Sequence, residues 1–160
     1  GTIKPLVDGA EGEYIFTHLD REACPLLRYR TGDVLRVRTT PCSCGRTGFR
    51  MEIVGRSDDM LIVRGVNVYP AAIVAIVGRY MPRVSGKAQV VLGAPGPKVE
   101  PPMRVRVECG EGVAPSAELA AAVESGIRAE LSFSARVELV TFGEFARTAT
   151  KTRLVSLEPQ

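Results

Sequence analysis

The chain has 160 residues, 45% of them hydrophobic and 24% charged, and a formal net charge of +3. This is ordinary composition for a soluble globular protein, long enough for one domain or for a small domain plus a piece of another. Basic and acidic residues are interspersed without a basic stripe carrying aromatics, which argues against nucleic acid as a partner, and no apolar run approaches the length needed to span a membrane.

Taken in chain order, residues 1–13 are rich in glycine and small polar residues and read as a loop. The chain opens Gly-Thr-Ile-Lys-Pro without methionine or a signal-peptide pattern, so a removed start or an excised fragment is expected. Tyr14–Thr17 is a strand candidate, and residues 18–25 form a polar loop. Leu26–Arg30 is a short strand closed by Thr31-Gly32-Asp33, and Val34–Arg38 resumes in extended form. Residues 39–48 hold Pro41, Cys42, Cys44, Gly45 and Gly48, a turn or knuckle, and Phe49–Val54 is one more strand.

Residues 55–70 read GRSDDMLIVRGVNVYP. The polar turn Arg56–Asp59 is followed by two short apolar runs joined at Gly65. This predicts a β-hairpin, and Pro70 fits the first position of a helix. On spacing alone, two carboxylates beside an arginine suit an ordinary surface turn. Ile73, Val74, Ile76, Val77 and Tyr80 recur at helical spacing and predict an amphipathic helix over 70–80. Residues 87–92 form an apolar strand, and a proline-rich loop covers 93–102. From Met103 to Cys109 the residues alternate, with Met103, Val105, Val107 and Cys109 on one face and Arg104, Arg106 and Glu108 on the other, as in a half-buried strand. Ser116 is placed to cap a second helix that buries Leu119, Ala122, Val123, Ile127 and Leu131. Arg136–Val140 is the closing strand, and 142–160 reads as a tail or loop. The fold class expected is α+β. A β-rich segment over 1–57 precedes a compact βαββαβ-like domain over 58–160, with both helices on one face of a sheet.

Four cysteines are too few for a disulfide scaffold in a chain of this size, and free thiols in a reducing cytoplasm are the default reading. Cys42-Ser43-Cys44 supplies two of the four thiolates that a structural zinc site favours. His18 and Cys24 are candidate partners without fixed geometry.

The stretch GRSDDMLIVRGVNVYP resembles the hinge motif of the adenylate-forming acyl-CoA ligases, most closely that of phenylacetate–CoA ligases. Tyr29-Arg30-Thr31-Gly32-Asp33 is similar to the ribose-binding motif of that family, and Arg147-Thr148-Ala149-Thr150-Lys151 more loosely resembles its C-terminal lysine motif. The three occur in the family's order, but they match only the last part of such an enzyme. The resemblance implies an ATP-dependent aryl- or acyl-CoA ligase that adenylates a carboxylate and passes the acyl group to CoA. Asp33, with Tyr29, Arg30 and Arg56, would bind ATP or AMP. Asp58 would be the hinge of a mobile C-terminal domain. Arg64, Gly65 and Val66 would line the path of CoA, and Lys151 would be the catalytic lysine. Mg2+ would accompany ATP, and zinc at Cys42 and Cys44 would draw further ligands from the part not present. The carboxylate pocket and phosphate loop have no match here, so this segment by itself is expected to be inactive. A homodimer is a candidate assembly. The alternatives are a non-catalytic binding module that keeps the fold, and an adenylating domain that loads a carrier-protein thiol.

Overall fold

A computed structural model describes residues 2–145 and 154–158. It resolves into two compact units, Gly1–Asp58 and Asp59–Gln160.

The first unit is a three-stranded antiparallel sheet in the order β1-β2-β3, with β1 at Glu11–Phe16, β2 at Tyr29–Arg38 and β3 at Arg50–Arg56. The two short strands read around Thr31-Gly32-Asp33 are in fact one ten-residue strand. Gly32 takes φ +78°, and the register against β1 shifts between Glu13 and Ile15, so the turn signal is absorbed as a bulge inside the strand. The Thr31 hydroxyl donates to the Tyr14 carbonyl at 3.2 Å and accepts from the Asp33 amide at 3.0 Å, which fixes the bulge. β1 begins at Glu11, inside the stretch read as a loop, because Arg36 recruits Glu11 across the pair.

The second unit opens with a hairpin, β4 at Leu61–Val63 and β5 at Val66–Val68. Its two-residue turn, Arg64-Gly65, has φ +49° and +81°, the left-handed pair that a tight hairpin turn demands. Helix α1 follows at Pro70–Gly78, with proline in its first turn and Ile73, Ile76 and Val77 buried. It ends before Tyr80, sooner than its apolar spacing implies, and residues 79–83 form turns. Then come β6 at Val84–Leu92, a two-residue β7 at Lys98–Val99 and β8 at Met103–Cys109. Helix α2 at Ala117–Leu131 is capped by the Ser116 hydroxyl, which accepts from the Leu119 amide at 3.2 Å. β9 is Ala135–Val140, and β10 is Val155–Leu157.

The main sheet has the order β10-β6-β8-β9. One face carries Ala88, Val90, Met103, Val105, Val107 and Val137, which pack with α1 and α2 in a single core. The two helices therefore cover one face, as the apolar stripes require. Two strands were not expected. β7 pairs parallel with β4 inside the proline-rich loop, and β10 pairs parallel with β6 inside the stretch read as a tail. Glu108, placed by alternation with the exposed Arg104, is fully buried instead. Among the described residues no helix is long and apolar enough to cross a membrane.

Candidate functional site

Register brings Asp33 on β2 opposite Arg56 on β3, and the candidate site is built on that pairing. The Arg56 guanidinium donates from Nη1 to Asp33 Oδ1 at 3.1 Å and to the Thr31 carbonyl at 3.3 Å. From Nε and Nη2 it donates to Asp58 Oδ1 and Oδ2 at 3.0 and 3.1 Å, a two-pronged contact suited to its planar fork. One cation thus holds two carboxylates that are twenty-five residues apart in the chain (58 − 33). All three side chains are part exposed, so these pairs add little to stability. What they supply is orientation. Gly32 makes room for the arrangement, since a Cβ there would lie 2.8 Å from Arg56 Nη2. The Ser57 amide and hydroxyl both donate to the Gly32 carbonyl, at 2.7 and 3.2 Å, and extend the pairing beyond the end of β3.

The structure places the other nucleotide candidates nearby on β2 but gives them different partners. Tyr29 is half exposed and meets Phe16 edge-on, with ring centroids 5.5 Å apart. Arg30 does not join Arg56. It grips Glu13 with two contacts of 3.1 Å from Nε, and that hydrogen bonding holds the Glu13 carboxyl below the usual carboxylate range.

Arg64, Gly65 and Val66 form the exposed tip of the β4–β5 hairpin in the second unit. No atom lies within 4 Å of where a Gly65 Cβ would stand, so the glycine answers the positive φ of the turn, not a packing contact. Lys151, with Arg147 and the rest of its motif, lies outside the described residues.

Cys42 and Cys44 do come together. Their sulfurs are 2.9 Å apart, and the hydrogen bond from Cys44, aided by the charge of Arg50, draws the Cys42 thiol below its ordinary range. No group of three or more His, Cys, Asp or Glu able to hold a metal occurs among the described residues. His18 instead uses Nδ1 to accept from the Leu26 amide at 3.3 Å. Two thiolates do not complete a tetrahedral zinc site.

Sequence reading missed one buried constellation. Glu108 Oε1 accepts from the Gly143 and Phe145 amides at 3.0 and 3.1 Å, and Oε2 faces Lys87 Nζ at 3.2 Å. Burial pushes its carboxyl up, but hydrogen bonds from Ser85, Lys87 and Phe145 and the Lys87 charge outweigh that, leaving it below the usual range. Strict alternation along β8 carried no signal of this.

The chain thus joins a bulge at Gly32 and an Arg56 bridge between Asp33 and Asp58 to a two-helix α+β unit. The chain belongs to the AMP-binding enzyme C-terminal domain family, whose match covers residues 65–156. Among curated proteins it is similar to the phenylacetate-coenzyme A ligase of Thermus thermophilus, at 46% identity over 107 residues, which is 66% of this chain and 24% of that protein. It is also similar to the Escherichia coli phenylacetate-coenzyme A ligase, at 54% identity over 68 residues, or 42% of this chain and 15% of that one. Among solved structures, 2-hydroxyisobutyryl-CoA ligase in its postadenylation state, in complex with R3-HIB-AMP, superposes with a TM-score of 0.80 at 31% identity, over 95% of this chain and 33% of its own. The chain thus spans between about a sixth and a third of the length of these relatives.

Proposed function

We propose that this chain is the C-terminal portion of an AMP-forming acid–thiol ligase that activates an aryl or acyl carboxylate and transfers it to CoA. The observation that carries the reading is the Arg56 bridge between Asp33 and Asp58, set in a chain of the AMP-binding enzyme C-terminal family. The names of the relatives, phenylacetate-coenzyme A ligases, support CoA as acceptor and an aryl acid as substrate.

In the first step a carboxylate oxygen attacks the α-phosphorus of ATP. The bond to pyrophosphate breaks, and an acyl-adenylate results. Asp33, aimed by Arg56, accepts hydrogen bonds from the two ribose hydroxyls, and its ionised state makes them stronger than neutral ones. Lys151 neutralises charge that builds up on the phosphate oxygens, where such transfers are mainly stabilised. Mg2+ enters with ATP. In the second step the CoA thiol, giving up its proton, attacks the acyl carbon and AMP leaves with the bonding pair.

Asp58 is the last residue of the first unit. As a hinge it needs only a few residues able to absorb a large dihedral change. The second unit, over 58–160 in this reading, then presents the Lys151 segment for adenylation and the Arg64–Val66 hairpin tip for thioester formation. Zinc at Cys42 and Cys44 would require ligands from elsewhere in a longer protein.

The test uses the full-length protein with ATP, CoA and a panel of aryl and aliphatic acids. Pyrophosphate exchange and thioester formation are measured separately. Asp58→Pro, which fixes φ at the hinge, is expected to depress one half-reaction much more than the other. An equal effect on both steps, or exchange without any carboxylate dependence, would count against the reading. Adenylate formation with acyl transfer only to a carrier-protein thiol would replace CoA as the acceptor.

A further inference from the structure

Glu108 is the feature that the proposed reaction leaves unused. It is a fully buried carboxylate on the face of β8 opposite the helices. A buried ionised group is expensive unless it is paired and hydrogen-bonded, and an apolar residue of similar size would serve packing as well or better. A carboxylate here must therefore answer something more specific than the core.

What it answers is the chain that follows β9. Residues 141–145 turn back over this face, with Gly143 at φ +89° and the Glu144 amide donating to the Thr141 carbonyl at 3.2 Å. Glu108 Oε1 takes the amides of Gly143 and Phe145 together. Lys87, on the neighbouring strand β6, faces Oε2 at 3.2 Å and reaches the Phe145 carbonyl at 3.5 Å. Arg106 lies 5.6 Å from the centre of the buried Phe145 ring and pairs with Glu144. On the other side of residues 146–153 the chain is tied again: the Val90 amide donates to the Leu154 carbonyl at 2.8 Å, β10 pairs with β6, and Arg104 pairs with Glu158. Phe145 is thus tied to Lys87 and Leu154 to Val90. These are positions three residues apart on one strand, about 10 Å along it. The eight residues between the two ties include Lys151.

We propose that Glu108 is a positioning residue for adenylation, which with Lys87 fixes the start of the segment that delivers Lys151 to the α-phosphate. The proposal rests on the ligase reading above. Glu108 itself touches no substrate; it acts through the backbone of Gly143 and Phe145. Glu108→Gln keeps an oxygen acceptor but loses the charge that holds Lys87 and strengthens both amide contacts. Lys87→Gln removes the partner charge from the more exposed end of the same cluster.

The experiment uses the full-length protein and measures both half-reactions in Glu108→Gln, Lys87→Gln, Lys151→Ala and the Glu108→Gln/Lys151→Ala double variant, with thermal unfolding alongside. Adenylation should fall between about tenfold and a hundredfold in Glu108→Gln, the scale of a misplaced group in a transition state. It should fall less in Lys87→Gln. Conversion of supplied acyl-adenylate to thioester should stay within about twofold, and the double variant should adenylate no more slowly than Lys151→Ala alone. If Glu108→Gln fails to fold, Lys87→Gln carries the test. A parallel loss of both half-reactions tracking the unfolding temperature would overturn the proposal, as would losses that multiply in the double variant. Normal adenylation by Lys151→Ala would remove the role of Lys151 and this proposal with it. Impaired Lys151→Ala beside unimpaired Glu108→Gln and Lys87→Gln would remove the proposal alone.

Discussion

Gly126 sits inside α2, where replacing glycine by alanine ordinarily stabilises a helix by about 1 kcal/mol. Here the opposite sign is expected. A Cβ at 126 would lie 2.4 Å from the Tyr80 hydroxyl and 3.3 Å from the ring carbon that carries it. The hydroxyl donates to the Ala122 carbonyl at 2.8 Å, and the ring packs against the core between the helices. Moving the ring aside loses a hydrogen bond of about 1 kcal/mol and adds overpacking strain of about 1–3 kcal/mol. Set against the helical gain, Gly126→Ala should be destabilising by about 1–3 kcal/mol. Both described helices are in the second unit, so denaturant unfolding followed by the helical circular dichroism band reads that unit. Tyr80→Phe removes the offending oxygen. The double variant should therefore recover about 1 kcal/mol relative to the additive expectation. Gly126→Ala more stable than the parent, or strictly additive with Tyr80→Phe, would refute the packing argument.

Gly32→Ala and Gly9→Ala impose the same left-handed backbone cost, at φ +78° and +76°, and each should destabilise its unit by about 1–2 kcal/mol. Only Gly32→Ala should also weaken nucleotide binding in the full-length protein, because only there does the new methyl displace Arg56; equal ATP affinity in the two variants would contradict this. In the native protein at neutral pH, iodoacetamide should modify Cys24, Cys42 and Cys44 and spare Cys109, which is fully buried with its thiol pushed up by that burial. Labelling of Cys109 at the rate of Cys24 before denaturant is added would count against the core assignment. The folded-state carboxyl of Glu108 is depressed, so its contribution is complete above the unfolded value of about 4.3 and lost as the pH falls through the lower folded value. The stability difference between the parent and Glu108→Gln should shrink over that acid range. A difference independent of pH would show that ionisation of Glu108 is not what matters.

Local chemistry made much of the second unit legible. A glycine between two short apolar runs at Gly65, proline at the start of α1, serine at the cap of α2 and alternation along β8 each have one physical solution. Long-range pairing was not legible. β7 and β10 are two and three residues long and exist only because β4 and β6 offer them an edge. Glu108 reads as solvent-facing until residues 141–145 fold over it. The tight turn at Gly32 reads as a strand end because nothing local shows that β1 pairs with the chain on both sides of it. In the candidate site, Asp33, Arg56 and Asp58 were each identifiable from motif resemblance. Their convergence on one guanidinium depends on the β2–β3 register, which the sequence does not state. Arg30 was grouped with them by the same resemblance, and its Glu13 partner likewise depends on the β1–β2 pairing.

The central claim is that Asp33, held by Arg56, binds the ribose of ATP in a carboxylate-activating ligase. Calorimetric titration of ATP into the full-length protein and its Asp33→Ala variant tests it most directly. Loss of a charge-assisted hydrogen bond of about 1.5–3 kcal/mol predicts affinity weakened roughly tenfold to a hundredfold, with carboxylate-dependent pyrophosphate exchange falling in step. ATP affinity unchanged in a folded Asp33→Ala variant would contradict the account.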